Sequence, residues 1–153
     1  MKLRRASVEE AEKILHMQIE SFQELLDKYQ DYDTNPASED IDIVKQRLNQ
    51  NYTYFYIITD NKEEVGAIRV VDKKDGSRKR ISPLFILPQY RNKGLAQKAL
   101  QEVERMHGMK HWQLNTILEE EGNCYLYEKQ GYIQDGNRQM INEGMTLVDY
   151  IKD

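Results

Sequence analysis

The spacing of apolar residues divides the chain into segments with helical periodicity and segments with extended character. Apolar side chains recur every three or four positions between residues 11 and 26, which predicts a long amphipathic helix with one buried face. Ser7 and Glu10 have the spacing of a capping box and place the start of this helix. A short strand at residues 2–5 precedes the helix, and the polar segment 30–36 ends it.

A second helix and three strands follow. Ser38 and Asp40 mark the start of a helix that carries Ile41, Val44 and Leu48 on one face. The next three segments are rich in apolar residues and separated by short polar turns, which predicts strands at residues 52–59, 65–72 and 78–87. We expect these strands to form an antiparallel meander, and the apolar end of the third indicates burial on both faces.

The rest of the chain alternates between the same two patterns. Apolar residues at helical spacing over 95–106, with Gly108 at the expected end, predict a further helix. The order is completed by a strand at 112–117, a short helix at 123–130 and final strands at 132–133 and 145–151. A strand, a turn, a helix and a further parallel strand at the centre indicate a mixed α+β or α/β fold.

Length and composition narrow the class of protein. A chain of 153 residues is the usual size of one domain, so we expect a single domain over residues 1–153. The 22 basic against 26 acidic residues argue against a nucleic-acid partner. Because no apolar run could span a bilayer and the first residues lack a signal-peptide pattern, we expect no membrane partner and a cytoplasmic location. The single Cys124 and three scattered histidines predict neither a disulfide nor a metal site.

The most informative segment runs from residue 84 to residue 96. It passes from an apolar strand through a basic turn with Arg91 and Lys93 into a helix start with the small residues Gly94 and Ala96. Unpaired N–H groups and the dipole at a helix N-terminus favour an anion, and small residues let the backbone approach it closely. This segment therefore predicts binding of a cofactor that carries a diphosphate.

Two motifs in this half of the chain carry a family resemblance. Residues 89–96, Gln-Tyr-Arg-Asn-Lys-Gly-Leu-Ala, resemble the Arg/Gln-x-x-Gly-x-Gly/Ala motif of the GCN5-related N-acetyltransferases (GNAT). About thirty residues later, residues 126–132, Leu-Tyr-Glu-Lys-Gln-Gly-Tyr, are similar to the Leu-Tyr-Glu-Lys-x-Gly-Phe segment of the same family. Either motif alone is weak, but both in order, separated by a helix and a strand, make the match strong. The resemblance covers residues 78–133 well, and the N-terminal half agrees in element order.

The resemblance implies a fold and a cosubstrate. The family's fold is a mixed, mostly antiparallel sheet of six to seven strands with about four flanking helices, splayed between the fourth and fifth strands to hold acetyl-coenzyme A. The fourth strand is the segment 78–87 here, and its end would pair with the pantetheine amides while the following turn wraps the diphosphate. The cofactor-binding residues implied are Leu84, Phe85, Ile86, Arg91, Asn92, Lys93, Gly94, Leu95, Ala96 and Gln97.

The resemblance also implies a catalytic residue. Tyr127 matches the family's general-acid tyrosine, which would protonate the departing thiolate during direct attack of an amine on the thioester. Many relatives have a cofactor-contacting asparagine where this chain has Glu120, so Asn123 is expected either to contact the cofactor or to cap the helix. Some relatives have a glutamate base where this chain has Asn115, which favours deprotonation of the amine through water.

The acceptor is indicated only by charge. Residues 21–42 hold seven acidic side chains against one basic residue, Lys28, and such a rim would attract a cationic amine unless it is an ordinary solvated face. We expect a small-molecule amine or a peptide as acceptor, and a homodimer is plausible for the family. The alternative function is a noncatalytic acyl-coenzyme A binding module or sensor, which would keep the basic turn and have no use for Tyr127. The seven acidic residues are Glu24, Asp27, Asp31, Asp33, Glu39, Asp40 and Asp42.

Overall fold

The computed structural model, which describes all 153 residues, alternates strands and helices in nearly the order that the sequence predicts. Seven strands and four α-helices are present, with short 3-10 turns at Val8–Glu10, Pro36–Ser38 and Pro88–Tyr90. None of the helices is long and apolar enough to cross a membrane. The elements are β1 (Lys2–Arg5), α1 (Ala11–Tyr29), α2 (Ile41–Asn49), β2 (Thr53–Asp60), β3 (Glu63–Val71), β4 (Lys79–Ile86), α3 (Leu95–His107), β5 (Trp112–Ile117), α4 (Glu121–Lys129), β6 (Ile133–Asn142) and β7 (Met145–Lys152).

All seven strands belong to one mixed sheet in the order β1-β2-β3-β4-β5-β7-β6. Strands β1 to β4 form an antiparallel meander, which confirms the prediction for the three strands before the basic turn. Strands β4 and β5 are parallel, but they pair only at Lys79 with Trp112 and at Arg80 with Gln113. Beyond these pairs the two strands separate, so the splay between the fourth and fifth strands is confirmed.

A bulge in β4 lies where the two strands separate. Val70 of β3 pairs with Ile81 and Ile68 pairs with Leu84, so β4 contains one extra residue at this point. The Nη1 of Arg69, a largely buried side chain, donates to the carbonyl of Ser82 at 2.7 Å and braces the bulge. A bulge bends its strand, and this one begins directly after the last β4 residue that pairs with β5.

The helices cover the sheet on two sides. Helices α1 and α2 pack on one face of β2, β3 and β4, whereas α3 and α4 pack on the opposite face of the sheet centre. The consecutive residues Phe85 and Ile86 belong to these two different cores and are both buried. The predicted burial of the strand end on both faces is therefore confirmed.

The last part of the sheet differs from the prediction. The sequence predicts extended structure at residues 132–133 and 145–151, but β6 continues to Asn142 and pairs along most of β7. Most of β6 is polar and exposed, and as an edge strand it has no apolar alternation that a sequence pattern could show. Pairing with β7 imposes the extended backbone on this segment.

Candidate active site

The gap between β4 and β5 exposes the backbone of the β4 end. The N–H of Leu87 donates to the carbonyl of Val65 on β3 at 2.8 Å. Because backbone groups of successive strand residues alternate in direction, Phe85 also faces β3, while Leu84 and Ile86 turn their backbone groups toward the gap. The structure therefore separates the three predicted strand residues. Leu84 offers its main-chain groups and Ile86 its N–H to a ligand, whereas Phe85 offers a side chain to the core.

The turn after β4 leads into an uncapped helix. Asn92 and Gly94 have φ angles of +64° and +75°, and no side chain caps α3. The hydrogen bond from Lys98 to the carbonyl of Gly94 leaves the N–H groups of residues 95 to 97 without acceptors in the helix. A Cβ at Gly94 would meet no protein atom within 4 Å, so the space beside these N–H groups is open. This arrangement fits a diphosphate group.

The side chains of the turn point in different directions. The exposed Arg91 folds back on the protein surface: its Nε donates to the carbonyl of Ile86 at 3.0 Å, and its Nη2 donates to the carbonyl of Ser21 on α1 at 2.6 Å. Lys93 is exposed, and Gln97 donates to Gln130 after α4 at 3.1 Å. In this geometry Arg91 ties α1 to the end of β4, and Lys93 is the turn cation that is available to an anion.

Three tyrosines cluster beside this site. The Tyr127 ring lies 6.1 Å from the rings of both Tyr132 and Tyr150. The hydroxyl of Tyr132 donates to Glu104 at 3.0 Å, and the hydroxyl of Tyr150 donates to Glu128 at 2.6 Å. The hydroxyl of Tyr127 makes no hydrogen bond within the protein. Its oxygen is not fully buried. Tyr127 therefore presents a free phenol at the edge of the core.

Burial sets the protonation of this cluster. Loss of solvation, with a smaller contribution from Cys124, raises the pKa of Tyr127 to about 12. Burial also raises the pKa of Tyr132 and of Tyr150. The carboxylates that accept hydrogen bonds from their hydroxyls raise these pKa values further. At neutral pH Tyr127 is a protonated hydrogen-bond donor.

The residues before Tyr127 have clear structural partners. The Oε2 of Glu120 accepts hydrogen bonds from the Tyr29 hydroxyl at 2.5 Å and from Lys28 at 2.8 Å, which joins α1 to the start of α4. Burial alone would raise the pKa of Glu120, but these two hydrogen bonds outweigh it and lower the pKa. Glu120 precedes α4 as its N-cap residue and Asn123 lies inside the helix, so of the two alternatives for Asn123 the capping role is wrong. Contact of Asn123 with a cofactor stays a prediction.

Three carboxylates of the predicted acidic rim accept hydrogen bonds within the protein. Asp31 accepts the N–H of Thr34 at 3.1 Å, and Asp40 caps α2 through the N–H groups of residues 42 and 43. Glu39 accepts two hydrogen bonds from Arg47 at 2.9 and 2.7 Å. The rim residues that are exposed are Glu24, Asp27, Asp33, Asp40 and Asp42.

Comparison with known proteins agrees with this geometry. Residues 9–153 match the model of the acetyltransferase (GNAT) domain family. No curated protein sequence matches the chain.

Several solved structures have the same fold. The spermidine N-acetyltransferase from Vibrio cholerae in complex with CoA and spermine is 14% identical, with a TM-score of 0.75 over 97% of this chain and 92% of that one. The PaiA N-acetyltransferase from Thermoplasma acidophilum in complex with coenzyme A is 15% identical, with a TM-score of 0.69 over 99% and 98% of the two chains. YjaB from Escherichia coli is 19% identical, with a TM-score of 0.64 over 97% and 95%. Because the family model spans nearly the whole chain, the protein belongs to the GNAT family of acetyltransferases, whose acyl donor is acetyl-coenzyme A.

Proposed function

We propose that this protein transfers the acetyl group of acetyl-coenzyme A to the primary amine of a small molecule or peptide by direct attack. The observation that carries this proposal is the free phenol of Tyr127 in a cluster where the other two hydroxyls are bound to carboxylates. A binding module has no need of such a donor, whereas acyl transfer needs one beside the departing sulfur.

The cosubstrate is held mainly by backbone groups in this proposal. Leu84 offers its main-chain groups and Ile86 its N–H to the pantetheine amides, as a strand edge offers them to an added strand. The N–H groups of residues 95–97 and the open space at Gly94 take the diphosphate, and Lys93 adds charge. Arg91 supports this site from behind, since its guanidinium fixes the end of β4.

The raised pKa of Tyr127 defines its part in the chemistry. Acetyl-coenzyme A supplies an activated thioester, and cleavage of its C–S bond leaves negative charge on sulfur. Full proton transfer from a phenol of pKa about 12 to a thiolate, whose thiol has a pKa of roughly 8.5, costs about 5 kcal/mol. Tyr127 therefore stabilises the sulfur through a donated hydrogen bond, and the thiol obtains its proton from the solution.

The attacking amine loses its protons to water in this scheme. Asn115 stands at the β5 position where some relatives have a glutamate base, and its amide cannot accept a proton. A free amine therefore exists only after an ammonium ion with a pKa of roughly 10.4 loses a proton to water. The products are one N-acetylated amine, one thiol and one proton released to solvent. The rate is expected to rise with pH toward the pKa of the acceptor.

The test is release of the coenzyme A thiol from acetyl-coenzyme A in the presence of candidate acceptors. The panel comprises polyamines, aminoglycosides, amino acids and short peptides, and mass spectrometry identifies the acetylated product. Polyamines belong in the panel because the Vibrio cholerae neighbour was solved with spermine. Turnover with at least one amine supports the proposal. Uptake of acetyl-coenzyme A without turnover of any amine would instead favour the noncatalytic binding module.

A further inference from the structure

A fully buried carboxylate lies in the second half of α3. The side chain of Glu104 is 0% exposed, and it accepts hydrogen bonds from three other residues. Its Oε1 accepts from the Gln130 amide at 2.9 Å and from the Lys152 ammonium group at 2.8 Å. Its Oε2 accepts from the Tyr132 hydroxyl at 3.0 Å. Both carboxylate oxygens are therefore occupied by donors from outside α3.

Two of these donors directly follow the helix that carries Tyr127. The backbone N–H groups of Gln130 and Tyr132 both donate to the carbonyl of Tyr127, at 3.1 and 3.0 Å. The Tyr132 ring also lies edge-on to the Tyr127 ring, with the two ring centroids 6.1 Å apart. Glu104 thus binds the side chains of the same two residues that contact Tyr127 through their backbone and through a ring.

Helix α3 holds the end of α4 at a second point. Gln97, in the first turn of α3, donates its side-chain amide to Gln130 at 3.1 Å. Gln97 and Glu104 are seven residues apart, so they lie about two turns apart on one face of the helix. The Gln130 amide therefore accepts from the start of α3 and donates to Glu104 on the same helix. The start of α3 is also where the diphosphate is proposed to lie.

The third donor connects the end of β7 to the same carboxylate. The Lys152 side chain is 16% exposed, and its ammonium group lies 5.6 Å from the centroid of the Tyr132 ring. Two residues earlier, β7 carries Tyr150, whose ring lies 6.1 Å from that of Tyr127. A buried ion pair adds little net stability compared with apolar side chains of similar size, because both charges lose their water. The contribution of this pair that apolar side chains would not reproduce is a fixed arrangement of α3, β7 and the segment after α4.

The geometry points to Glu104 as a positioning residue for Tyr127. This inference rests on the proposed acetyltransferase function, in which the start of α3 holds the cosubstrate and α4 supplies the phenol. Because Glu104 is fully buried, it touches no ligand and acts by fixing α4 relative to α3. A displacement of α4 would move the phenol relative to the sulfur and leave the N–H groups of residues 95–97 in place. The loss is therefore expected in kcat and not in the KM for acetyl-coenzyme A.

The first variant removes the ion pair without leaving a buried charge alone. After Glu104→Gln the side chain has one acceptor oxygen in place of two, so it cannot accept from both Gln130 and Tyr132 as the carboxylate does. Lys152→Met in the same chain removes the ammonium group that would otherwise lack its partner. We expect kcat in the thiol-release assay to fall roughly tenfold in this double variant, with the KM for acetyl-coenzyme A unchanged.

The same pair of substitutions in a Tyr127→Phe chain separates positioning from a general loss of packing. If Glu104 acts through the phenol, kcat should fall no further once the phenol is absent. An equal fall in both backgrounds, or a kcat equal to that of the wild type, would overturn the inference. Glu102→Gln is the matched control with unchanged kcat, since Glu102 lies on the same helix and pairs with the exposed Arg105.

A milder variant covers the case in which the double variant does not fold. Gln130→Met removes the contact between Gln97 and Glu104 and leaves the buried ion pair in place. Gln130 is only half-buried, so this chain is expected to fold. We expect kcat to fall about threefold with the KM for acetyl-coenzyme A unchanged. An unchanged kcat in Gln130→Met would overturn the inference if the double variant is unfolded.

A binding measurement tests the positioning role without turnover. The full chain is labelled with carbon-13 at the tyrosine Cζ atoms, and the Tyr127 signal is the one that is missing in Tyr127→Phe. We expect coenzyme A to move this signal in the wild type and in Glu102→Gln. At saturation it should move the signal less in the Glu104→Gln/Lys152→Met variant, with an unchanged Kd. Equal movement in the wild type and this variant, or no movement in the wild type, would overturn the inference.

The two proposals fail in different ways. Turnover of an amine with a kcat that does not depend on Glu104 overturns the positioning role and supports the acetyltransferase function. Movement of the Tyr127 signal that depends on Glu104, without turnover of any amine, overturns the function and supports the positioning role.

Discussion

The rings of Tyr127 and Tyr150 lie 6.1 Å apart at an interplanar angle of 45°, but only the Tyr150 hydroxyl has a hydrogen-bond acceptor, Glu128 at 2.6 Å. Two phenols in the same core thus differ in whether their hydroxyl is free to donate a hydrogen bond to a ligand. Tyr150 is a structural residue because its hydroxyl already donates a hydrogen bond to the Glu128 carboxylate. Tyr127 keeps its donor free, and the proposed acetyl transfer gives that donor a use.

Replacing Tyr127 by Phe removes the free donor and keeps the ring. We expect kcat to fall about 100-fold, because a positioned hydrogen-bond donor to developing negative charge contributes at least this factor, with little change in the KM for acetyl-coenzyme A. Steady-state thiol release measures both constants. Tyr125→Phe is the matched control, since Tyr125 is on the same helix and is exposed. Equal kcat values for the two variants would show that Tyr127 has no part in the chemistry.

The pKa of Tyr127 also predicts how stability changes at alkaline pH. An unfolded tyrosine ionises near pH 10, whereas Tyr127 keeps its proton in the fold until about pH 12. The contribution of this group to stability is therefore fully present below pH 10 and is lost as pH rises through the folded pKa. The loss is about 3 kcal/mol over that interval. Tyr132 and Tyr150 act in the same direction.

Urea unfolding between pH 9 and pH 11 measures the first part of this loss. The free energy of unfolding is expected to fall less steeply with pH in Tyr127→Phe than in the wild type. In Tyr125→Phe the slope should equal that of the wild type, because the Tyr125 side chain is exposed. Identical slopes in all three proteins would contradict the burial of the Tyr127 phenol.

Much of the fold follows from local signals in the sequence. The periodicity of α1 is regular, the capping contact between the Glu10 carboxylate and the Ser7 N–H forms at 3.2 Å, and Asp40 caps α2. These features depend on residues a few positions apart, so the sequence displays them directly. Strand β6 has no such signal, because its extended backbone depends on β7 and its side chains are mostly exposed.

The candidate site was predictable in position and only partly in detail. The turn at Gly94 was predictable because its glycine and basic residues are contiguous. The hydrogen bonds of Arg91 were not predictable, since its acceptors include the carbonyl of Ser21, seventy residues away.

Arg91 is predicted to act on stability more than on phosphate binding. Arg91→Lys keeps the charge but cannot reproduce the two hydrogen bonds to the carbonyls of Ile86 and Ser21. We expect the ligand-free protein to lose roughly 1–3 kcal/mol of stability in urea unfolding. Lys93→Ala is the comparison, with unchanged stability and weaker binding of acetyl-coenzyme A in calorimetry. The reverse pattern would make Arg91 the principal phosphate ligand.

Gly94 and Gly76 offer a matched pair for the diphosphate site. Both have positive φ angles, +75° and +89°, and at both a Cβ would meet no protein atom within 4 Å. Alanine at either position is strained to a similar extent, so Gly94→Ala and Gly76→Ala are each expected to cost about 1–2 kcal/mol of stability. Their positions differ, because Gly94 is the N-cap of α3 and Gly76 lies in the turn between β3 and β4.

The two glycine variants should therefore differ in their affinity for acetyl-coenzyme A. In Gly94→Ala the new methyl group enters the open space beside the N–H groups of residues 95–97, where the diphosphate is proposed to lie. We expect the Kd for acetyl-coenzyme A to rise at least tenfold in Gly94→Ala and to be unchanged in Gly76→Ala, as measured by calorimetry. If both variants bind acetyl-coenzyme A as tightly as the wild type, the diphosphate lies elsewhere, and the start of α3 is a structural turn without a ligand.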